Sequence, residues 1–190
     1  MALRITSDTR AYITRDLLQQ DKGERAIVFC LFKTNVSQMA RYIELAFPDR
    51  DVFQCTSGKD DDLASFNATS SGNMVSTTVL AAGVSFERVT RVYFSECSHG
   101  PEVLLQGAGR GARDETENCV ATLVTTKQQL EYFRTSGLVY AAMMASFCLN
   151  CLEKKLDFDC ELYKLFDHSE HNQVDQFPDF FACSCLTIFF

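Results

Sequence analysis

At about 100 to 200 residues per domain, a chain of 190 residues holds one domain, or one domain with an appendage. It carries 18 Lys+Arg against 25 Asp+Glu, a formal charge of −7, which excludes a strongly basic nucleic-acid module. A composition of 46% hydrophobic and 23% charged residues excludes wholesale disorder. The acidic surplus lies after residue 50, so any anion-binding surface must be local and built from few residues.

Nine cysteines is an odd number, and Met1-Ala2-Leu3-Arg4 opens into a polar stretch rather than an apolar leader. The expectation is a reduced, intracellular protein without a disulfide framework. No apolar run approaches the roughly 18 residues that span a bilayer, so no membrane partner is expected.

In chain order, Thr9 to Gln20 places Tyr12, Ile13, Leu17 and Leu18 at helical spacing and ends near Lys22-Gly23. Arg25 to Phe32 is a continuous apolar run, the pattern of a strand buried on both faces of a parallel sheet. Thr34-Asn35 is an N-cap candidate for a helix carrying Val36, Met39, Ala40, Ile43 and Phe47 and stopping at Pro48. Val52 to Cys55 is a short strand. Ser57 to Ser71 is polar, with Leu63 and Phe66 on one side of a short helix, and Asp60-Asp61-Asp62 reads as solvated loop charge. Asn73 to Leu80 is a β-branched run broken at Ala81-Ala82-Gly83, while Val89 to Phe94 and Ala121 to Thr125 are further strands. Leu130 to Leu152 is helical and apolar. The rest is aromatic, acidic and cysteine-rich.

Strands alternating with helices argue for βαβ units and a mostly parallel α/β sheet. A texture change near Lys127 divides the chain into residues 1–127 and a helical, cysteine-rich appendage, residues 128–190.

The run most suited to chemistry is Gln106-Gly107-Ala108-Gly109-Arg110-Gly111-Ala112-Arg113-Asp114. Small residues let a backbone approach a neighbour closely, and two guanidiniums three residues apart suit a polyphosphate. The glycine spacing matches neither the dinucleotide fingerprint nor the phosphate-binding G-x-x-x-x-G-K-[ST] loop. Gly58-Lys59 is followed by Asp60 and has no glycine five residues before Gly58.

Taken with its neighbours, this run resembles the second RecA-like domain of superfamily 2 helicases. Ala26 to Phe32 with Thr34-Asn35 is similar to motif IV, Val75 to Ser85 to motif V, and Gln106 to Asp114 to motif VI, all in the family's order. Motif VI is most similar to that of RecQ-like helicases, Gln-x-x-Gly-Arg-Ala-Gly-Arg-Asp, with the Ala-Gly pair inverted here. The resemblance implies a three-layer RecA-like fold for residues 1–127. It implies that Arg113 is the arginine finger, that Arg110 touches phosphate or holds motif VI in place, and that Gln106, Gly109 and Gly83 lie at the nucleotide. Thr77, Thr78 and Lys33 would contact the nucleic-acid backbone.

ATP with Mg²⁺ would be bound jointly with a first RecA-like domain in cis or trans, and the other partner would be single-stranded or forked DNA. The implied machine is a 3′ to 5′ DNA helicase of repair and recombination, nuclear in a eukaryote and cytoplasmic otherwise. Ser85 stands where the family has an Asp after the motif V glycine, and His99, before motif VI, reads as polar surface.

Without Walker A and Walker B motifs the chain is expected not to hydrolyse ATP alone, and its aromatic end, Leu186 to Phe190, reads as that of a fragment. Two other readings stay open. One is a non-enzymatic module that binds nucleic acid or caps another ATPase, and the other is an unrelated α/β domain for a phosphorylated small molecule. In the appendage, Cys148-x-x-Cys151 and Cys160, followed by His168, His171, Cys183 and Cys185, form a candidate Zn²⁺ set, as the RecQ-like resemblance also implies. The alternative is that Cys148 and Cys151 are small core residues.

Overall fold

In the computed structural model the fold is organised by a six-stranded, all-parallel sheet: β1 (Ala2–Ile5), β2 (Arg25–Cys30), β3 (Val52–Cys55), β4 (Gly72–Ser76), β5 (Val89–Ser95) and β6 (Val120–Thr125). The spatial order is β1-β6-β5-β2-β4-β3. The structure describes residues 1–57, 61–81, 86–97, 99–111 and 118–165.

Helices cover both faces. On one, α1 (Thr9–Leu17) and α2 (Lys33–Ala46) pack Ile13, Leu17, Val36, Met39, Ala40 and Ile43 against Ala26, Val28, Val75 and Tyr93. The other face carries α3 (Asp61–Ala68), a 3₁₀ turn at Thr78–Ala81, α4 (Pro101–Ala108), α5 (Lys127–Arg134), α6 (Val139–Lys154) and α7 (Phe158–Lys164). There Ile27, Phe29, Met74, Val92, Phe94 and Leu123 share one cluster with Leu104, Leu130, Met144, Cys148 and Leu162. Alternate residues of β2 thus enter opposite layers, as its apolar run requires, and every one of them is buried. This is the α/β RecA-like architecture expected from the sequence.

Several boundaries differ from the sequence reading. Strand β4 stops at Ser76, whose hydroxyl donates to the Thr77 carbonyl; Thr77 N–H still donates to the Cys55 carbonyl of β3, and the chain then coils into the 3₁₀ turn. Helix α2 starts earlier than Thr34-Asn35 would have it: its N-cap is Phe32, with extended φ/ψ and no side-chain cap. The long helical stretch breaks into α5 and α6 at Ser136-Gly137. Asp62 is not simply loop charge, since its carboxylate accepts the Gln54 N–H at 2.9 Å and ties α3 to β3. Strand β1, which the sequence pattern did not reveal, pairs with β6 at one edge of the sheet. The Met1 ammonium is paired there with Asp159 of α7.

Candidate nucleotide and nucleic-acid site

All six strands run the same way, so their carboxyl ends share one edge. That edge, at the switch point where the chain leaves β2 in one direction and β5 in the other, is where open α/β sheets bind ligands. Lys33 sits there as the first residue of α2, exposed, with its ammonium donating to the Ser57 carbonyl at 2.7 Å. Thr77 and Thr78 follow β4, the strand beside β2, and both are half-buried. The structure therefore brings Lys33, Thr77 and Thr78 to one edge of the sheet.

Across the switch point the Asn35 amide donates to Glu96 at 2.8 Å. Glu96 takes a positive φ of 98° and its carboxyl is raised above the ordinary value by burial, a shift that Asn35 and Arg10 oppose. Ser7, Asp8, Thr9, Arg10, Gln38 and Gln129 complete a polar crevice of about 400 Å³ at this edge. Sequence reasoning missed it, because its residues come from four separate stretches of the chain, at the starts of α1, α2 and α5 and the end of β5, and form no motif.

Motif VI lies elsewhere. Gly100 and Pro101 open α4 at the carboxyl edge, and the helix runs back along the face of the sheet. Gly107 is buried where a Cβ would come within 2.7 Å of Phe94 and 2.9 Å of Phe29, two rings stacked with centroids 5.2 Å apart. A Cβ on Gly111 would overlap Cys119 and lie 3.0 Å from the Val89 carbonyl. Those contacts place Gly111 beside the starts of β5 and β6. Gly109 is exposed, and a Cβ there would make only ordinary contacts.

The small residues of the run thus have two uses: Gly107 and Gly111 press the backbone onto the sheet, and Gly109 leaves backbone accessible. The helix does not carry Arg110. It ends at Ala108, and Arg110 follows in a turn closed by Arg110 N–H to Gly107 O and Gly111 N–H to Ala108 O, both 3.1 Å.

Gln106 is exposed on α4 and Arg110 is half-buried just beyond it. The 3₁₀ turn at Thr78–Ala81 packs against α4, so the elements carrying motifs V and VI are adjacent. Gln106 and Arg110 supply an amide and a guanidinium, donors that fit an anionic polyphosphate, while the Gly109 N–H is bonded to the Leu105 carbonyl at 2.9 Å. Arg113, Gly83 and Ser85 lie outside the described residues, as do Gly58, Lys59 and Asp60.

His99 is not surface. It is buried at 5% exposure, its Nε2 has no hydrogen-bond partner among the described residues, and its ring meets Phe94 edge-on. Burial lowers its pKa to about 4.

Cys148 and Cys151 are buried in α6, and Cys160 is exposed on α7. Cys148 Sγ lies 3.6 Å from Cys97 Sγ, and burial raises its thiol well above the ordinary range. Among the described residues, Cys148, Cys151 and Cys160 included, no three Cys, His, Asp or Glu side chains converge to hold a metal. His168, His171, Cys183 and Cys185 lie outside the described residues. No helix among the described residues is long and apolar enough to cross a membrane.

Comparison with known proteins fits this geometry. The family model for the helicase conserved C-terminal domain matches residues 9–115. No match was found among curated protein sequences. Among solved structures, Mss116p DEAD-box helicase domain 2 bound to an RNA duplex superposes with a TM-score of 0.59 at 20% identity, covering 70% of this chain and 57% of that one. S. cerevisiae Dbp5 bound to RNA and ADP BeF3 gives 0.54 at 18% identity, over 67% of this chain and 34% of that one. E. coli DEAD-box protein SrmB bound to regulator of ribonuclease activity A gives 0.53 at 19%, over 68% and 79%. The chain thus spans just over half of the Mss116p chain and a third of the Dbp5 chain, and at these identities the likeness is one of fold. With more than half of its residues matched by the family model, the chain belongs to the helicase conserved C-terminal domain family.

Proposed function

We propose that this chain works as the second motor half of an ATP-dependent helicase, contributing the arginine side of an ATP site and part of a single-strand track. The observation that carries the reading is the family match over residues 9–115, which takes in the whole run Gln106 to Asp114. ATP, held with Mg²⁺ against a first RecA-like domain in cis or trans, would supply the phosphoryl-transfer free energy. The chain's own part is to deliver guanidinium charge from Arg113 and Arg110 to the phosphates when the two domains close. An arginine delivered that way raises turnover by about 10³ to 10⁵. Lys33, Thr77 and Thr78 hold the sugar–phosphate backbone by charge and hydroxyl contacts, which position a strand without reading its sequence.

Two finer readings differ in the nucleic acid. The RecQ-like reading, a DNA helicase, rests on the sequence of Gln106 to Asp114. An RNA reading is favoured by the similar folds of Mss116p and Dbp5, both described with RNA bound.

The test is ATP hydrolysis by the chain alone and with a first RecA-like domain added in trans, in the presence of single-stranded DNA or RNA. The expected outcome is no turnover alone, stimulated turnover in the pair, and loss of that stimulation in Arg113→Ala. Unchanged stimulation in Arg113→Ala would remove the arginine-finger assignment, and the better stimulating strand decides between the DNA and RNA readings.

A further inference from the structure

We propose that Phe32 is a base-stacking platform for single-stranded nucleic acid at the carboxyl edge of the sheet, a role resting on the single-strand track proposed above. Phe32 stands at the N-cap of α2, where Ser, Thr, Asp or Asn would accept a hydrogen bond from one of the open N–H groups of the first turn. A phenyl ring accepts none, and the cap has no side-chain hydrogen bond. Nor does the ring gain by burial. It is 53% exposed and joins neither hydrophobic cluster among the described residues, whereas its neighbour Leu31 packs against the core. An aromatic residue that forgoes the cap and leaves half its surface in water suits a ligand better than it suits the fold.

The surroundings say which ligand. Phe32 ends the segment leaving β2, the strand between β4 and β5, with Phe29 in register with Ser76 and Cys30 with Ser95. On the β4 side follow the hydroxyls of Thr77 and Thr78. The next residue, Lys33, places its ammonium over the loop after β3 through Ser57. Cation, hydroxyls and the open amides of the α2 N-terminus make a strip of donors for phosphates, with one exposed ring beside it. Backbone donors next to an aromatic face are the combination that binds single strands, whose bases are free to stack, and not duplexes, whose bases already stack on one another. The ring has a face for any base, so the contact is tolerant of sequence and of DNA or RNA.

The chain contains no tryptophan, so Phe32→Trp installs a single indole reporter. The probes are oligo(dT), oligo(U) and an abasic oligonucleotide of equal length, titrated into the full chain. The expected result is quenching of the Phe32→Trp emission by base-containing strands and none by the abasic one. Phe32→Ser should bind oligo(dT) and oligo(U) about 5- to 150-fold more weakly, the loss of one stacked base, while binding the abasic strand as the unmodified chain does. Phe32→Tyr should keep the affinity. Serine restores the cap, so Phe32→Ser should melt no lower than the unmodified chain, which separates lost stacking from lost structure.

Lys33→Ala should weaken all three probes alike. If Lys33→Ala weakens binding and Phe32→Ser does not, the platform is wrong and the track stands. If neither substitution changes binding, or the unmodified chain binds no probe, both are wrong.

Discussion

Gly107 faces Phe94 so closely that a methyl group added to it would sit 2.7 Å from the ring, inside van der Waals contact. The Phe94 and Phe29 rings are stacked and buried, so neither can yield without disturbing the β2–β5 core. Gly107→Ala is therefore expected to cost about 1–3 kcal/mol, the usual range for overpacking a dense core. Gly109→Ala, two residues on, meets only ordinary contacts and should stay within roughly 1 kcal/mol. Urea melts of the two variants check the contrast. Equal losses would mean that the glycines of this run are not divided between packing and access.

The hydroxyl of Tyr93, a core residue of β5, donates to Asp16 of α1 at 2.5 Å, and Arg91 pairs with the same carboxylate oxygen at 3.0 Å. Burial, reinforced by that carboxylate, raises the Tyr93 phenol above its ordinary range. Removing Asp16 strands a hydroxyl that is mostly out of water, whereas removing Arg91 leaves the Tyr93–Asp16 bond in place. Asp16→Ala should thus destabilise by about 1–3 kcal/mol and Arg91→Ala by about 1 or less. In a Tyr93→Phe background the cost of Asp16→Ala should shrink, and denaturation of the four proteins measures that coupling.

The interior strands were legible because burial on both faces leaves a continuous apolar run, as in Arg25 to Cys30. Edge strands leave a weaker mark: β3 was read at Val52 to Cys55, but β1 is half-exposed, four residues long, and ends in two exposed residues, Arg4 and Ile5. The N-cap of α2 was misread for a related reason. Local preference points to Thr34 or Asn35, yet the Asn35 amide is engaged with Glu96, and Phe32 holds the cap. The glycines of motif VI announced close packing, but not that the helix would stop before Arg110. His99 was misread as surface, because its burial and its edge-on contact with Phe94 across the β5–α4 loop have no local sequence signal.

Thr126 and Gln129 at the start of α5 bond reciprocally, the Thr126 hydroxyl to the Gln129 N–H at 3.0 Å and the Gln129 amide oxygen to the Thr126 N–H at 2.9 Å. Thr126→Ala removes one half of this capping box and should cost about 1 kcal/mol. Thr126→Ser keeps the hydroxyl and should cost less. Thermal denaturation of the two variants tests the ranking, and an unaffected Thr126→Ala would show that α5 is held by the packing of Leu130 and Phe133 alone.

His99 gives the fold a pH dependence of definite sign. Burial lowers its pKa from 6.5 to about 4, so between those values the unfolded chain binds a proton that the folded chain refuses. Stability rises with pH wherever the unfolded state holds more protons, so this contribution is complete above pH 6.5 and is lost as pH falls toward 4. Between pH 7 and pH 5 the loss from this one group comes to roughly 2 kcal/mol. Urea denaturation at the two pH values measures it in the unmodified chain and in His99→Gln, whose amide does not titrate. The variant should lose less stability on acidification by about that amount. Parallel pH profiles for the two proteins would mean that His99 is hydrated in solution and that the acid sensitivity arises elsewhere.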